Sequence, residues 1–176
     1  MRLVPITADD EALAVRLECE ADMTEHLGGP RPEADVRAAH RRRLDLMEQG
    51  AAQMFKIVSD DAREAPVAGA PAGETLGTVG VWEIDWKGSQ AYEMGWLVLP
   101  EHQGKGVASE AARLILEKAR SNPEIRFVYA FPAVSNVASN AVARKIGMSS
   151  QGAFDYEGFA GVLRCSEWCI DLGQPA

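Results

Sequence analysis

Positive charge is in short supply: 18 lysines and arginines stand against 26 aspartates and glutamates, leaving a net charge of −8. Nucleic-acid binding needs basic side chains gathered against phosphates, so no nucleic-acid partner is expected. One basic run, His40-Arg41-Arg42-Arg43, has acidic neighbours on the same predicted helix and reads as a solvated face. The acidic balance suits a cationic substrate instead. No window approaches the roughly 18 apolar residues of a membrane span, so no membrane partner is expected. The opening segment MRLVPITADDEALAV lacks an apolar stretch ending in a small-residue cleavage site. Secretion is therefore not expected, and the default location is cytoplasmic.

Cysteine is scarce too, with 3 in 176 residues. An odd number in a cytosolic chain points to free thiols rather than a disulfide framework. Cys165 and Cys169 share a strand face. With Cys19 they read as small buried hydrophobes, not metal ligands, since His26, His40 and His102 lie in unrelated segments. No metal is expected. The apolar share of 47% and the charged share of 25% are ordinary. The length fits one domain, residues 1–176, able to bury roughly two-thirds of its unfolded surface.

Along the chain, Arg2 to Ile6 reads as a strand. TADDEALAVRLECEAD is a helix capped by Thr7 or Asp9, with Leu13 and Leu17 at helical spacing. GGPRPE breaks the pattern, and a second helix runs from Glu33 to Gln49, stopped by Gly50. MFKIV is a strand, and the Ala-, Pro- and Gly-rich 59–75 segment is a long hairpin connection. TLGTVGVWEI and AYEMGWLVL are strands turned by Lys87-Gly88-Ser89. A third helix carries Val107, Ala111, Leu114, Ile115 and Ala119 on one stripe. IRFVYAFP is a central strand. VSNVASNAVARKIGM is a helix capped by Ser135 or Asn136 and stopped at Gly147. Two strands close the chain. The expected fold is mixed α/β: a central, mostly antiparallel sheet with about four flanking helices. The strands on either side of the third helix are parallel neighbours, because their connection is a crossover.

The segment LVLPEHQGKGVA places Gln103-Gly104-Lys105-Gly106 between a strand and the first turn of a helix. A helix N-terminus leaves about four N–H groups unpaired and carries partial positive charge. Glycines let an anion approach that backbone, so a phosphate site and a plain turn are both open readings. The loop is neither a Walker motif nor a G-x-G-x-x-G fingerprint, which argues against a nucleotide triphosphatase.

QGKGVA, Gln103 to Ala108, resembles the Q/R-x-x-G-x-G/A pattern of the GNAT N-acetyltransferases. EMGWLVLPEHQGKGVASEAARLILEKA is similar to that family's strand–loop–helix core, and NVASNAVARKIGM to its second motif. Similarity spans nearly the whole chain, least in 59–75, and is closest to the branch acetylating ribosomal-protein N-termini. The resemblance implies acetyl-CoA as co-substrate and a sheet whose parallel pair splays. Its pyrophosphate would sit on the backbone of Gly104, Lys105, Gly106, Val107, Ala108 and Ser109, following Gln103. The pantetheine arm would pair with Leu97 and Val98 as an added strand. Asn136 would bond the arm from the other wall, or serve only as a helix cap.

Acyl transfer to an amine needs a free amine, an oxyanion donor and protonation of the leaving thiolate. By the same analogy, Val98 N–H is the donor and no covalent intermediate forms. Glu93 is the candidate base: Tyr92, Met94 and Trp96 share one strand face and Glu93 the other. A plain strand glutamate is the alternative. Many family members place a tyrosine seven residues after the helix-opening Asn, but here that position is Ala143. Ser139, one turn into the helix, is the stand-in acid. The acceptor, a protein N-terminus or small amine, is expected between MTEHLGGPRPE and FDYEGFAG. Glu25, Asp155 and Glu157 would hold its ammonium and Trp82 and Tyr156 form apolar walls. A non-catalytic acyl-CoA-binding module of the same fold is the rival function, and a homodimer is left open.

Overall fold

The computed structural model describes residues 1–60, 73–158 and 161–173. Most of the 59–75 connection, residues 61–72, lies outside the described residues. Seven strands form one sheet in the order β1-β2-β3-β4-β5-β7-β6. They are β1 (Arg2–Pro5), β2 (Ala52–Val58), β3 (Thr75–Trp86), β4 (Ser89–Val98), β5 (Phe127–Ala130), β6 (Ser149–Gly158) and β7 (Gly161–Asp171). Every neighbouring pair is antiparallel except β4–β5, the parallel pair that a helical crossover requires. The β3–β4 turn is Lys87-Gly88, with φ of 54° and 76°. Two positive φ values match the twist of a two-residue hairpin. Ser89 is already paired with Trp86 in the ladder.

The described helices are α1 (Glu11–Cys19), α2 (Ala21–Thr24), α3 (Glu33–Glu48), α4 (Val107–Ala119) and α5 (Val137–Lys145). The first expected helix is interrupted. Thr7 N–H donates to Asp10 Oδ2 at 2.9 Å and starts a 3-10 turn before α1. Glu20, extended at ψ 136°, then separates α1 from the single turn of α2. α4 covers one sheet face, its Val107, Ala111, Ile115 and Ala119 packing with Tyr92, Met94, Val98 and Val128. Leu114, expected on that stripe, is only half-buried, and Ala112 and Leu116 are buried in its stead. At 3.6 residues per turn Leu114 lies on the far side of Val107 from Ile115, at the margin of the buried arc. α1 and α3 pack together over the other face, α3 against β2. None of the described helices is long and apolar enough to cross a membrane.

Candidate active site

β4 and β5 pair at only two positions, Tyr92 with Val128 and Glu93 with Tyr129. Beyond them β4 stays with β3 as far as Val98. The chain after β5 follows β7 instead: Ser166 N–H donates to Pro132 O and Val134 N–H to Arg164 O, each at 2.8 Å. The sheet therefore forks after Glu93. Leu99 N–H donates to Leu76 O at 2.9 Å, and this sets the parity of the ladder. Bonded pairs alternate, so Leu97 exchanges hydrogen bonds with Thr78, while the main-chain groups of Trp96 and Val98 face the gap. The Leu97 main chain is thus taken up by β3, against its expected pairing with the cofactor arm, and Leu97 lines the cavity with its side chain. Val98 O is engaged by Gln103 Nε2 at 2.9 Å, which leaves Val98 N–H facing the fork.

The glycine loop continues from β4 through a 3-10 turn, Pro100–His102. Gly104 and Gly106 have φ of 72° and 83°, left-handed conformations that side chains resist. Gly106 caps α4 with no side-chain partner, and Glu110 N–H is the first to bond back, to Gly106 O at 3.1 Å. Among the described residues, no acceptor meets the N–H groups of Gly104, Lys105, Gly106, Val107, Ala108 or Ser109. Lys105 is exposed, whereas the Val107 side chain lies in the core. Gln103, expected among the phosphate-facing residues, instead ties the loop to β4. Its N–H donates to Pro100 O and its side chain to Val98 O.

On the α1–α3 side the fork opens into a cavity of about 570 Å³, lined by Glu93, Gly95, Leu97, Trp82, Asn136, Ser139 and Tyr156 among others. Glu93 and Leu97 reach it from the β4 face opposite Tyr92 and Met94, which are core residues. Burial pushes the Glu93 carboxyl up to about 7, against a hydrogen bond from the Trp82 side chain. Such a carboxyl can accept a proton near neutrality. Asn136 opens α5 on the other wall, its Oδ1 accepting Ser139 N–H at 2.9 Å. Ala143 is fully buried in the core, so no acid could reach the cavity from there without displacing it. Tyr129 points elsewhere, into contact with Trp86 and Phe131, and burial and Cys169 push its hydroxyl up to about 12.

The expected acceptor carboxylates are not brought together. Asp155 and Glu157 are exposed on the face of β6 opposite Tyr156, Asp155 pairing with Arg164 at 3.0 Å, and Glu25 is also exposed and outside the cavity lining. Trp82 and Tyr156 do form walls. The missed residues come from α1 and α3. Glu18 is buried and lines the cavity, held by Arg31 and Arg43 at 2.5 Å each. The run His40–Arg43 is not simply a solvated face: His40 is buried, Arg43 half-buried, and Arg42 lines the cavity. Helical spacing of Val36, Ala39, His40 and Arg43 carries that signal in the sequence.

A family described as "Acetyltransferase (GNAT) domain" matches residues 1–149. An uncharacterized N-acetyltransferase of Bacillus subtilis (strain 168), YnaD, is 33% identical over 107 residues, 61% of this chain and 62% of that relative. The chain thus spans somewhat under two-thirds of the curated relative it matches. Spermidine N-acetyltransferase from Vibrio cholerae, solved with CoA and spermine, superposes with a TM-score of 0.74 at 18% identity, covering 98% of this chain and 95% of that one. The Salmonella typhimurium acetyltransferase that modifies the N-terminal serine of ribosomal protein L7/L12 gives 0.74 at 17%, covering 96% and 93%. These likenesses carry the fold. With the forked sheet and the family match over most of its length, the chain belongs to the GNAT acetyltransferase family.

Proposed function

We propose that this chain, as a single domain over residues 1–176, transfers an acetyl group from acetyl-CoA to a primary amine by direct attack in a ternary complex. The observation that carries this is the fork. The strand that splays there carries the half-buried Glu93 carboxyl, pushed up to about 7, and leads into the bare helix-start amides. The amides of Gly104 to Ser109 suit a diphosphate, which needs donors rather than side chains. Trp96 and Val98 offer main-chain groups to an extended arm, as a sheet edge does. Asn136 and Ser139 form the facing wall. The Bacillus subtilis relative is described as an uncharacterized N-acetyltransferase, and the Vibrio cholerae neighbour was solved with CoA and spermine.

The acceptor arrives as an ammonium and gives one proton to Glu93, through water. Its nitrogen attacks the thioester carbonyl carbon, and Val98 N–H donates to the oxygen as it gains charge. The C–S bond then breaks, the nitrogen loses its second proton, and the thiolate takes one up, with the Ser139 hydroxyl as the relay. No cysteine is consumed.

Two measurements test this. Acetyl-CoA at about 100 times its Kd should stabilise the fold by about 2.7 kcal/mol in a thermal-shift experiment. Thiol release with a panel of amines should then follow. Stabilisation without thiol release for any amine would favour the acyl-CoA-binding module; no stabilisation would remove both.

A further inference from the structure

The acceptor side of the cavity carries charge opposite in sign to the chain as a whole. Glu18 on α1 is 6% exposed, and a carboxylate so buried needs partners. It has two: Arg31 Nη1 lies 2.5 Å from Oε2, and Arg43 Nη1 lies 2.5 Å from Oε1. Two guanidinium groups against one carboxylate leave an excess positive charge. Arg42 adds another. It lines the same cavity, and among the described residues no acceptor meets it, whereas its neighbour Arg41 is held by Glu11. The other acid on this side, Asp10, is already taken by Lys56 at 2.7 Å. His40 is spent on Thr7 O at 2.9 Å.

A polyamine entering this cavity would set its distant ammonium among guanidinium groups, and among the described lining residues of α1 and α3 no free carboxylate receives it. Guanidinium forks are matched to planar and tetrahedral oxyanions, which they bind through paired N–H donors. Resting on the acetyl-transfer reading above, we infer that the acceptor is a primary amine that also carries an anionic group, a carboxylate or phosphonate. Arg42 and the N–H groups of Arg43 not used by Glu18 receive the anion, while the amine lies toward Glu93. The cavity of about 570 Å³ is shared with the cofactor arm along Asn136 and Ser139, which leaves its α1–α3 end for a small acceptor or the first residues of a peptide.

The test uses the full chain, acetyl-CoA and three amines matched in length: aminovalerate, pentylamine and cadaverine. A peptide with acidic second and third residues is compared with a basic counterpart, separating a small amino acid from a peptide N-terminus as the source of the anion. The expected order of kcat/KM is aminovalerate, pentylamine, cadaverine, with about tenfold between successive members. Arg42→Gln should lower the aminovalerate-to-pentylamine ratio about tenfold, and Arg42→Glu should reverse the preference between aminovalerate and cadaverine. Arg42 is exposed and has no hydrogen-bond or ion-pair partner among the described residues, so neither change breaks one. Turnover of cadaverine above aminovalerate overturns this inference and leaves acetyl transfer standing, as does an aminovalerate-to-cadaverine ratio unmoved by Arg42→Glu. A rise in the KM for acetyl-CoA as the main effect of Arg42→Gln would also overturn it, by assigning the arginine to the cofactor. Stabilisation by acetyl-CoA with no thiol release for any amine sinks both.

Discussion

Replacing Glu93 by glutamine tests the proposed base twice, once through stability and once through rate. A carboxyl that ionises near 4.5 in the unfolded chain and near 7 in the fold binds its proton more tightly when folded. Stability therefore falls as pH rises between those two values, and above both the folded state has lost about 3 kcal/mol. Glutamine carries no such charge. Burying its amide costs the same at every pH, so the difference between variant and wild type isolates the ionisation. Relative to wild type, Glu93→Gln should gain about 2 to 3 kcal/mol between pH 5 and pH 8.5, or about 5–10 °C in Tm. Urea or thermal unfolding at the two pH values measures it. In turnover, wild-type kcat should climb through an apparent ionisation near 7, and the variant should lose about 10²- to 10³-fold at neutral pH with little change in acetyl-CoA binding. Stability curves that run parallel for the two proteins would refute the raised ionisation of Glu93, and unchanged turnover would remove it from the chemistry.

Other positions give independent checks. At Gly106 nothing lies within 4 Å of a added Cβ, but φ is 83°, so Gly106→Val should cost about 1–2 kcal/mol by urea unfolding and raise the KM for acetyl-CoA. At Gly77 a Cβ would fall 2.1 Å from Leu97 O and 2.8 Å from Val98 Cα. Gly77→Ala should push β4 off β3 at the fork and cost about 3 kcal/mol or more by the same assay, with acetyl-CoA affinity lost alongside. Ala143→Tyr, which restores the family's usual residue, should destabilise by about 1–3 kcal/mol and leave kcat no higher, because Ala143 is 0% exposed within the core.

The two halves of the site differed in how far they could be read before the structure. The cofactor half is made of main chain. Its signals, Gly104 and Gly106 ahead of a strong helical stripe, lie within a few residues of one another, and the parallel pair followed from one crossover. The proposed acceptor half is lined by side chains from five elements: Glu18 on α1, Arg42 and Arg43 on α3, Trp82 on β3, Glu93 on β4 and Tyr156 on β6. No local pattern links residues so far apart. Asp155 and Glu157 were candidates because they share a segment with Tyr156, yet strand alternation turns them to the other face. Leu97 failed through parity: which of two neighbouring residues offers its main chain to the gap depends on the register with β3, set by Leu99 bonding Leu76. Net charge says little about the cavity for a related reason, since it sums over a surface whose acids lie mostly away from it.

The missing tyrosine then has a physical explanation within the proposed mechanism. A side chain at 143 meets core, Tyr129 is held with its hydroxyl up near 12 outside the cavity, and a serine hydroxyl is a weak acid. None of these is a good proton donor, and the leaving group does not demand one. A thiol ionises near 8.5, so the departing sulfur is stable as a thiolate close to neutrality. The nitrogen must shed a proton as the C–S bond breaks, and that proton can reach the sulfur by way of Ser139 or water. What the reaction cannot do without is a free amine and a fixed donor for the oxyanion. Those two tasks fall to Glu93 and to Val98 N–H, both held by the same strand on the edge where the sheet divides. Catalysis on this account should therefore tolerate Ser139→Ala, with kcat reduced less than about tenfold, far better than it tolerates any change that moves β4; an equal loss in Ser139→Ala and Glu93→Gln would show that protonating sulfur, not freeing the amine, limits the rate.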